Sequence, residues 1–233
     1  MRPYLKAKHK LFILIAVFLC CCKLFSQEAQ EKLYYEKNFS AFSSYFLENY
    51  GIACKEPENM SILTYNVIWT PRNPLNDSKR TTAYVYGPVF QSEDKECILA
   101  YPITNIYFRP LILIISEIKS GLGTFDIRSH NYTSTFEFNN YVSTITGKAV
   151  RETFYIDTLY IYDIPNADSS YFTDEELEII RKENYPYCTG LVLCKEGRIA
   201  TVIKLFLSEK GKLKEDEYIK MLSKLIRYSD TFE

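Results

Sequence analysis

The chain has 233 residues, of which 47% are hydrophobic and 24% charged, and its formal net charge is −1. This is globular composition, and 8 Gly and 9 Pro exclude a collagenous or low-complexity chain. A near-neutral charge offers no chain-wide basic face for nucleic acid, so a nucleic-acid partner is not expected.

The first ten residues carry Arg2, Lys6, Lys8 and Lys10 with no acid, and Leu11 to Cys22 is an unbroken apolar run. Lys23 to Gln27 then turns polar through Ser26. This basic, apolar, small-then-polar order predicts a secretory signal peptide over 1–26, cleaved between Ser26 and Gln27. Twelve helical residues cover about 18 Å, short of the ~30 Å hydrocarbon core, which disfavours a spanning anchor. Cys20, Cys21 and Cys22 raise an alternative, cleavage before a lipidated Cys22, which would tether the protein to a membrane. An uncleaved signal would also place it there. Cleavage at Ser26 removes five basic residues (Arg2, Lys6, Lys8, Lys10 and Lys23) and no acid, so the remaining chain carries about −6. It keeps one histidine, His130, and four cysteines.

Residues 27–233 are expected to form a single α+β domain, mostly antiparallel sheet with helices at the start, middle and end. Phe39, Phe42, Phe46 and Tyr50 fall at helical spacing, with Asn38 as N-cap and Gly51 as stop. A short strand follows over 52–54. Residues 61–70 and 81–89 read as strands around a loop at 71–80, with Gly87-Pro88 marking a bulge or an edge. A turn over 91–95 leads to a strand over 97–103. Leu111 to Ile115 reads as a fully buried strand because it is apolar and rich in β-branched residues.

Phe138, Tyr141, Val142 and Ile145 recur at helical spacing and predict a helix capped by Gly147. Residues 152–164 alternate as a strand ended by Pro165. Thr173-Asp-Glu-Glu176 is a capping box for a short helix. Lys195-Glu-Gly197 joins strands 188–194 and 198–207 as a hairpin. Acids at 215–217 open a C-terminal helix whose apolar stripe is Tyr218, Ile219, Leu222, Leu225 and Ile226.

An exported chain with Cys54, Cys97, Cys188 and Cys194 invites disulfides. Six residues of strand span about 20 Å, so Cys188 and Cys194 do not pair with each other. Two bridges would then be 54–188 with 97–194, or 54–194 with 97–188. The alternative is four buried thiols acting as small hydrophobes.

Chemistry-bearing patterns are sparse. Ser92-Glu-Asp-Lys95 and Ser116-Glu-Ile-Lys119 match Ser-x-x-Lys without its companion motifs. A hydrolytic triad would have to use His130. Asp157 and Asp163 share one strand face at about 20 Å, too far apart for a glycosidase pair. Asn166, Asp168 and Ser170 hint at a calcium loop without its Gly and Glu. Gly121 and Gly123 lack a phosphate-loop context. No cofactor is expected. Asp157-Thr158-Leu159 resembles the O-glycosylation sites of some exported bacterial proteins, with Thr158 the acceptor. The aromatic run from Phe154 to Tyr162 offers flat, hydroxyl-bearing area for a protein or glycan partner.

Glu48-Asn-Tyr-Gly-Ile52 followed by Pro57-Glu-Asn-Met60 resembles the opening of PsbP/Mog1-like domains. The final hairpin and C-terminal helix are similar to how those domains finish. The resemblance covers about a third of the chain and implies a helix–sheet–helix sandwich that binds or assembles. The chain as a whole resembles small exported bacterial proteins. The reading is a secreted or periplasmic non-enzymatic binding or assembly module, with a hydrolase of unrecognised type or a membrane-tethered lipoprotein as the alternatives.

Overall fold

Residues 202–207 read Val-Ile-Lys-Leu-Phe-Leu and all six are buried, so their strand must be covered on both faces. A computed structural model shows how. It describes residues 38–65, 67–69, 84–105, 110–122, 137–165 and 185–229. In chain order these form α1 (Phe39–Tyr50), β1 (Ile52–Cys54), β2 (Met60–Thr64), β3 (Val67–Trp69), β4 (Tyr84–Tyr86), β5 (Val89–Ser92) and β6 (Cys97–Asn105). Then follow α2 (Pro110–Gly121), a 3-10 turn (Phe138–Asn140), β7 (Val142–Thr146), α3 (Lys148–Phe154) and β8 (Thr158–Asp163). The last elements are β9 (Tyr187–Cys194), β10 (Ala200–Leu207), α4 (Glu209–Leu213), α5 (Glu215–Leu225) and β11 (Ile226–Tyr228).

The main sheet has seven strands in the order β2-β5-β6-β10-β9-β8-β7, every neighbouring pair antiparallel. β1 pairs with β11, and β3 with β4, as separate two-stranded ribbons. The fold is α+β, as the sequence predicts. Alternation along β10 sorts its side chains into two cores. Val202 and Phe206 join Ile98, Ala100, Val192 and Tyr162 under Leu113, Ile114 and Ile118 of α2. Ile203, Leu205 and Leu207 join Leu99, Leu191 and Leu193 on the opposite face. There Phe42 and Phe46 of α1, Val150 and Phe154 of α3, Leu222 of α5 and the β1–β11 ribbon cover the sheet.

Near both ends of the described residues the elements follow their sequence signals. The Asn38 side chain accepts from Ala41 N–H at 2.7 Å, and Gly51 closes α1 at φ 63°, where glycine carries no Cβ penalty. The β9–β10 hairpin and α5 also form as expected. Ile226, placed on the helical stripe from sequence, instead opens β11.

Three further expectations fail. Residues 111–115 are not a buried strand but the start of α2, with Pro110 at the first helical position, where its missing N–H costs nothing. Leu113, Ile114, Glu117, Ile118 and Gly121 face inward at helical spacing, while Leu111 and Ile112 are exposed. Packing a whole apolar helix face outweighs the few tenths of a kcal/mol by which isoleucine disfavours helix.

The predicted helix over 138–145 is a single 3-10 turn followed by β7, and Gly147 is not its C-cap but the N-cap of α3. The Ser-Thr-Ile-Thr run after Val142 suits an extended strand, and pairing with β8 decides the matter. The strand predicted from 152 begins only at Thr158. Residues up to Phe154 are helical, and Tyr155 breaks the chain at φ 59°. The capping box at 173–176 lies outside the described residues.

Candidate functional site

Two places concentrate chemistry. The first lies inside the α2-side core. Tyr162, Gly190 and Lys204 are cross-strand neighbours on β8, β9 and β10. A Cβ at Gly190 would overlap the Tyr162 ring, so only glycine lets the tyrosine lie across β9 towards Lys204. Glu117 reaches down from α2 to meet them. Its Oε2 accepts from both Lys204 Nζ and Tyr162 O–H, and Nζ also donates to the tyrosine oxygen. The ammonium sits 4.6 Å from the Tyr162 ring centre. Exposure is 0% for Lys204 and 1% for Glu117 and Tyr162, so no solute reaches these atoms in this conformation. Glu117 Oε1 is buried and has no hydrogen-bond partner among the described residues.

A sealed ion pair of this kind fixes geometry rather than turning over a substrate. It ties α2 to one row of the sheet. Gly121 does the same at the helix end, where the Pro165 carbonyl occupies the space of a Cβ.

The second place is the outer edge of β7. Asp163 N–H donates to Tyr141 O at 3.0 Å, which makes 141 and 163 a bonded pair. Alternation along an antiparallel ladder then makes Ser143/Ile161 and Ile145/Leu159 the next bonded pairs. The N–H and C=O groups of Val142, Thr144 and Thr146 therefore point away from β8. Among the described residues no strand lies on that side. Residues 143–146 are exposed, Ile145 at 38%. The edge carries no charge and no proline, the usual guards of a free strand.

The residues singled out from sequence are dispersed. Ser92 is a turn cap: its Oγ donates to Asp94 at 2.7 Å and accepts from the N–H of Glu96 and Cys97. Ser116 donates to the Leu113 carbonyl of its own helix at 2.8 Å. Lys119 is buried, and burial lowers its pKa. Asp157 and Asp163 flank opposite ends of β8. Asp157 accepts from Glu196 N–H at 2.8 Å and lies 3.5 Å from Arg151, while Asp163 binds Lys212 at 2.8 Å. Thr158 opens β8 half-buried beside buried Leu159. The aromatic run does not form one face: Phe154 and Tyr162 lie in opposite cores. Cys22, Gly123, His130, Asn166, Asp168 and Ser170 lie outside the described residues, as does the whole segment 1–26.

All four of the remaining cysteines are free thiols. Cys54 and Cys97 belong to one core, Cys188 and Cys194 to the other. Each pairing left open by the strand argument joins the two faces, with the sheet between them. Burial pushes all four thiols up, Cys194 to about 11. Among the described residues no three His, Cys, Asp or Glu side chains gather to hold a metal ion.

The buried triad and the β7 edge were both missed in sequence. A lysine inside Val-Ile-Lys-Leu-Phe-Leu and a glutamate inside Ile-Ile-Ser-Glu-Ile were the available signals, since a charge within an apolar run needs a partner. Compared with known proteins, the chain matches no family model, and no curated protein or solved structure matches it significantly.

Proposed function

We propose that this chain is an exported, secreted or periplasmic, binding or assembly module without catalytic activity of its own, and that it works through the outer edge of β7. The observation that carries this reading is the exposed, uncharged run 143–146, along which Val142, Thr144 and Thr146 turn their backbone groups away from β8. Proteins recognise extended partners through such edges: main-chain bonds supply the attraction and alternate side chains the selectivity. The N-terminal basic and apolar segments support export.

The test is mild cross-linking and co-purification of the tagged protein from the exported fraction, with its N-terminus read by mass spectrometry. The expected result is a stoichiometric protein cross-linked through 142–146, on a chain starting at Gln27. A chain recovered from the cytosol, or without any partner, contradicts the reading. Release from the membrane fraction by Cys22→Ser would identify the tethered form instead.

A further inference from the structure

We infer that the partner at this edge is a second copy of the chain, its β7 pairing antiparallel to the first about a two-fold axis through Thr144. This rests on the reading of β7 as the working edge.

Three observations favour a second copy. The two ends of the main sheet differ in how they are guarded. At the β2 end the register with β5 slips between Ile62 and Thr64, and such a bulge bends an edge out of line for pairing. At the β7 end the register with β8 is unbroken from Val142 to Thr146, so the edge is straight.

The outward groups also suit themselves. A two-fold axis at Thr144 sets Thr144 against Thr144 of the second copy, and Val142 against Thr146 of the second copy. All of these residues turn N–H and C=O outward. Both groups of Val142, Thr144 and Thr146 are then satisfied, in about six main-chain bonds. Threonine opposite threonine is a favourable cross-strand pair.

The charges at the ends agree with the antiparallel direction. Exposed Glu137 precedes β7, and Lys148, 83% exposed and 3.6 Å from Glu152, follows it together with Arg151. An antiparallel partner brings the acidic start of one strand to the basic end of the other, whereas a parallel one brings like to like. The pairing would make one continuous sheet through both copies.

The test is sedimentation of the purified protein, in the form in which cells hold it, at about 100 µM, which fills a dimer of micromolar Kd. The wild type should sediment as a dimer. Thr144→Pro removes an N–H that points away from β8, at an edge position that tolerates proline, and should sediment as a monomer with unchanged circular dichroism. Thr144→Lys and Thr144→Glu keep the case testable if the proline variant fails to fold. Each alone should lose the dimer at low salt through like charges meeting at the axis, and an equimolar mixture should regain it as a heterodimer.

A monomeric wild type, or a folded Thr144→Lys that dimerises as the wild type does, overturns the inference. Should the monomeric wild type capture a different protein, and Thr144→Lys lose it, the second copy is excluded and the binding reading stands. A monomer that captures nothing removes both.

Discussion

Gly190 makes room in the sheet for a lysine, a tyrosine and a glutamate that the core would otherwise exclude. Gly190→Ala drives a methyl into the Tyr162 ring and should cost about 1–3 kcal/mol in urea unfolding, because the ring is pinned by Glu117 and Lys204 and cannot step aside. Removing one charge is worse than removing both. Lys204→Met leaves the Glu117 carboxylate buried without its cation, held by Tyr162 O–H, and should cost about 3–5 kcal/mol, while Lys204→Met with Glu117→Leu should recover most of that loss. A double variant that loses the sum of the two single losses would show that the pair carries no coupling.

The thiols give a second prediction at this scale. With burial raising all four, native protein should alkylate slowly, Cys194 first. In urea without reductant Cys54, Cys97, Cys188 and Cys194 should all be labelled. A cysteine that stays unlabelled until reductant is added would contradict the free-thiol arrangement.

Among the elements, those governed by local chemistry were legible. The asparagine cap and glycine stop of α1, the tight turn between β9 and β10, and the acidic start of α5 each act within a few residues of the chain. What was illegible depends on distant partners. Leu111 to Ile115 satisfies a buried strand and a buried helix equally, and only the inward Glu117, Ile118 and Gly121 beyond it separate the two. Val142 and Ile145 keep a helical interval by coincidence, since β8 pairs with them two by two. The polar triad was hidden for the same reason: its members lie 42 and 87 residues apart in sequence, in the tyrosine–lysine and lysine–glutamate contacts.

Element contacts also predict a pH response. Lys214, just before α5, binds Asp94 of the β5–β6 turn at 2.8 Å. That bond, then the Ser92 hydroxyl, holds the Asp94 carboxyl at about 2, below its ordinary 3.8. A depressed pKa contributes stability above about pH 4 that is lost as pH falls through about 2. Both side chains are 44% exposed, so the effect should be small and screened by salt. Asp94→Asn should therefore lower the urea midpoint slightly at neutral pH and by much less at pH 2. A deficit that persists undiminished at pH 2 would assign the loss to the turn rather than to the charge.

At the scale of the whole molecule, a seven-stranded sheet is covered on both faces, and among the described residues no strand pairs with the outer side of β7. Its faces are covered by α2 on one side and by α1, α3, α5 and the β1–β11 ribbon on the other. Tyr228 fastens that ribbon, its hydroxyl meeting Leu193 O and Thr201 Oγ1 at 3.1 Å. Among the described residues no helix is long and apolar enough to cross a membrane. With both faces covered, the regular, uncharged main-chain edge at β7 is where we propose that the sheet binds.

The most direct measurement is residue-resolved amide exchange on dilute and on concentrated protein. Ser143 and Ile145, bonded to β8, should be protected in both, while Val142, Thr144 and Thr146 should exchange fast when dilute and become protected on concentration or on addition of the captured partner. Exchange at those three amides that stays fast under every condition would contradict the proposal that the β7 edge is where this protein binds.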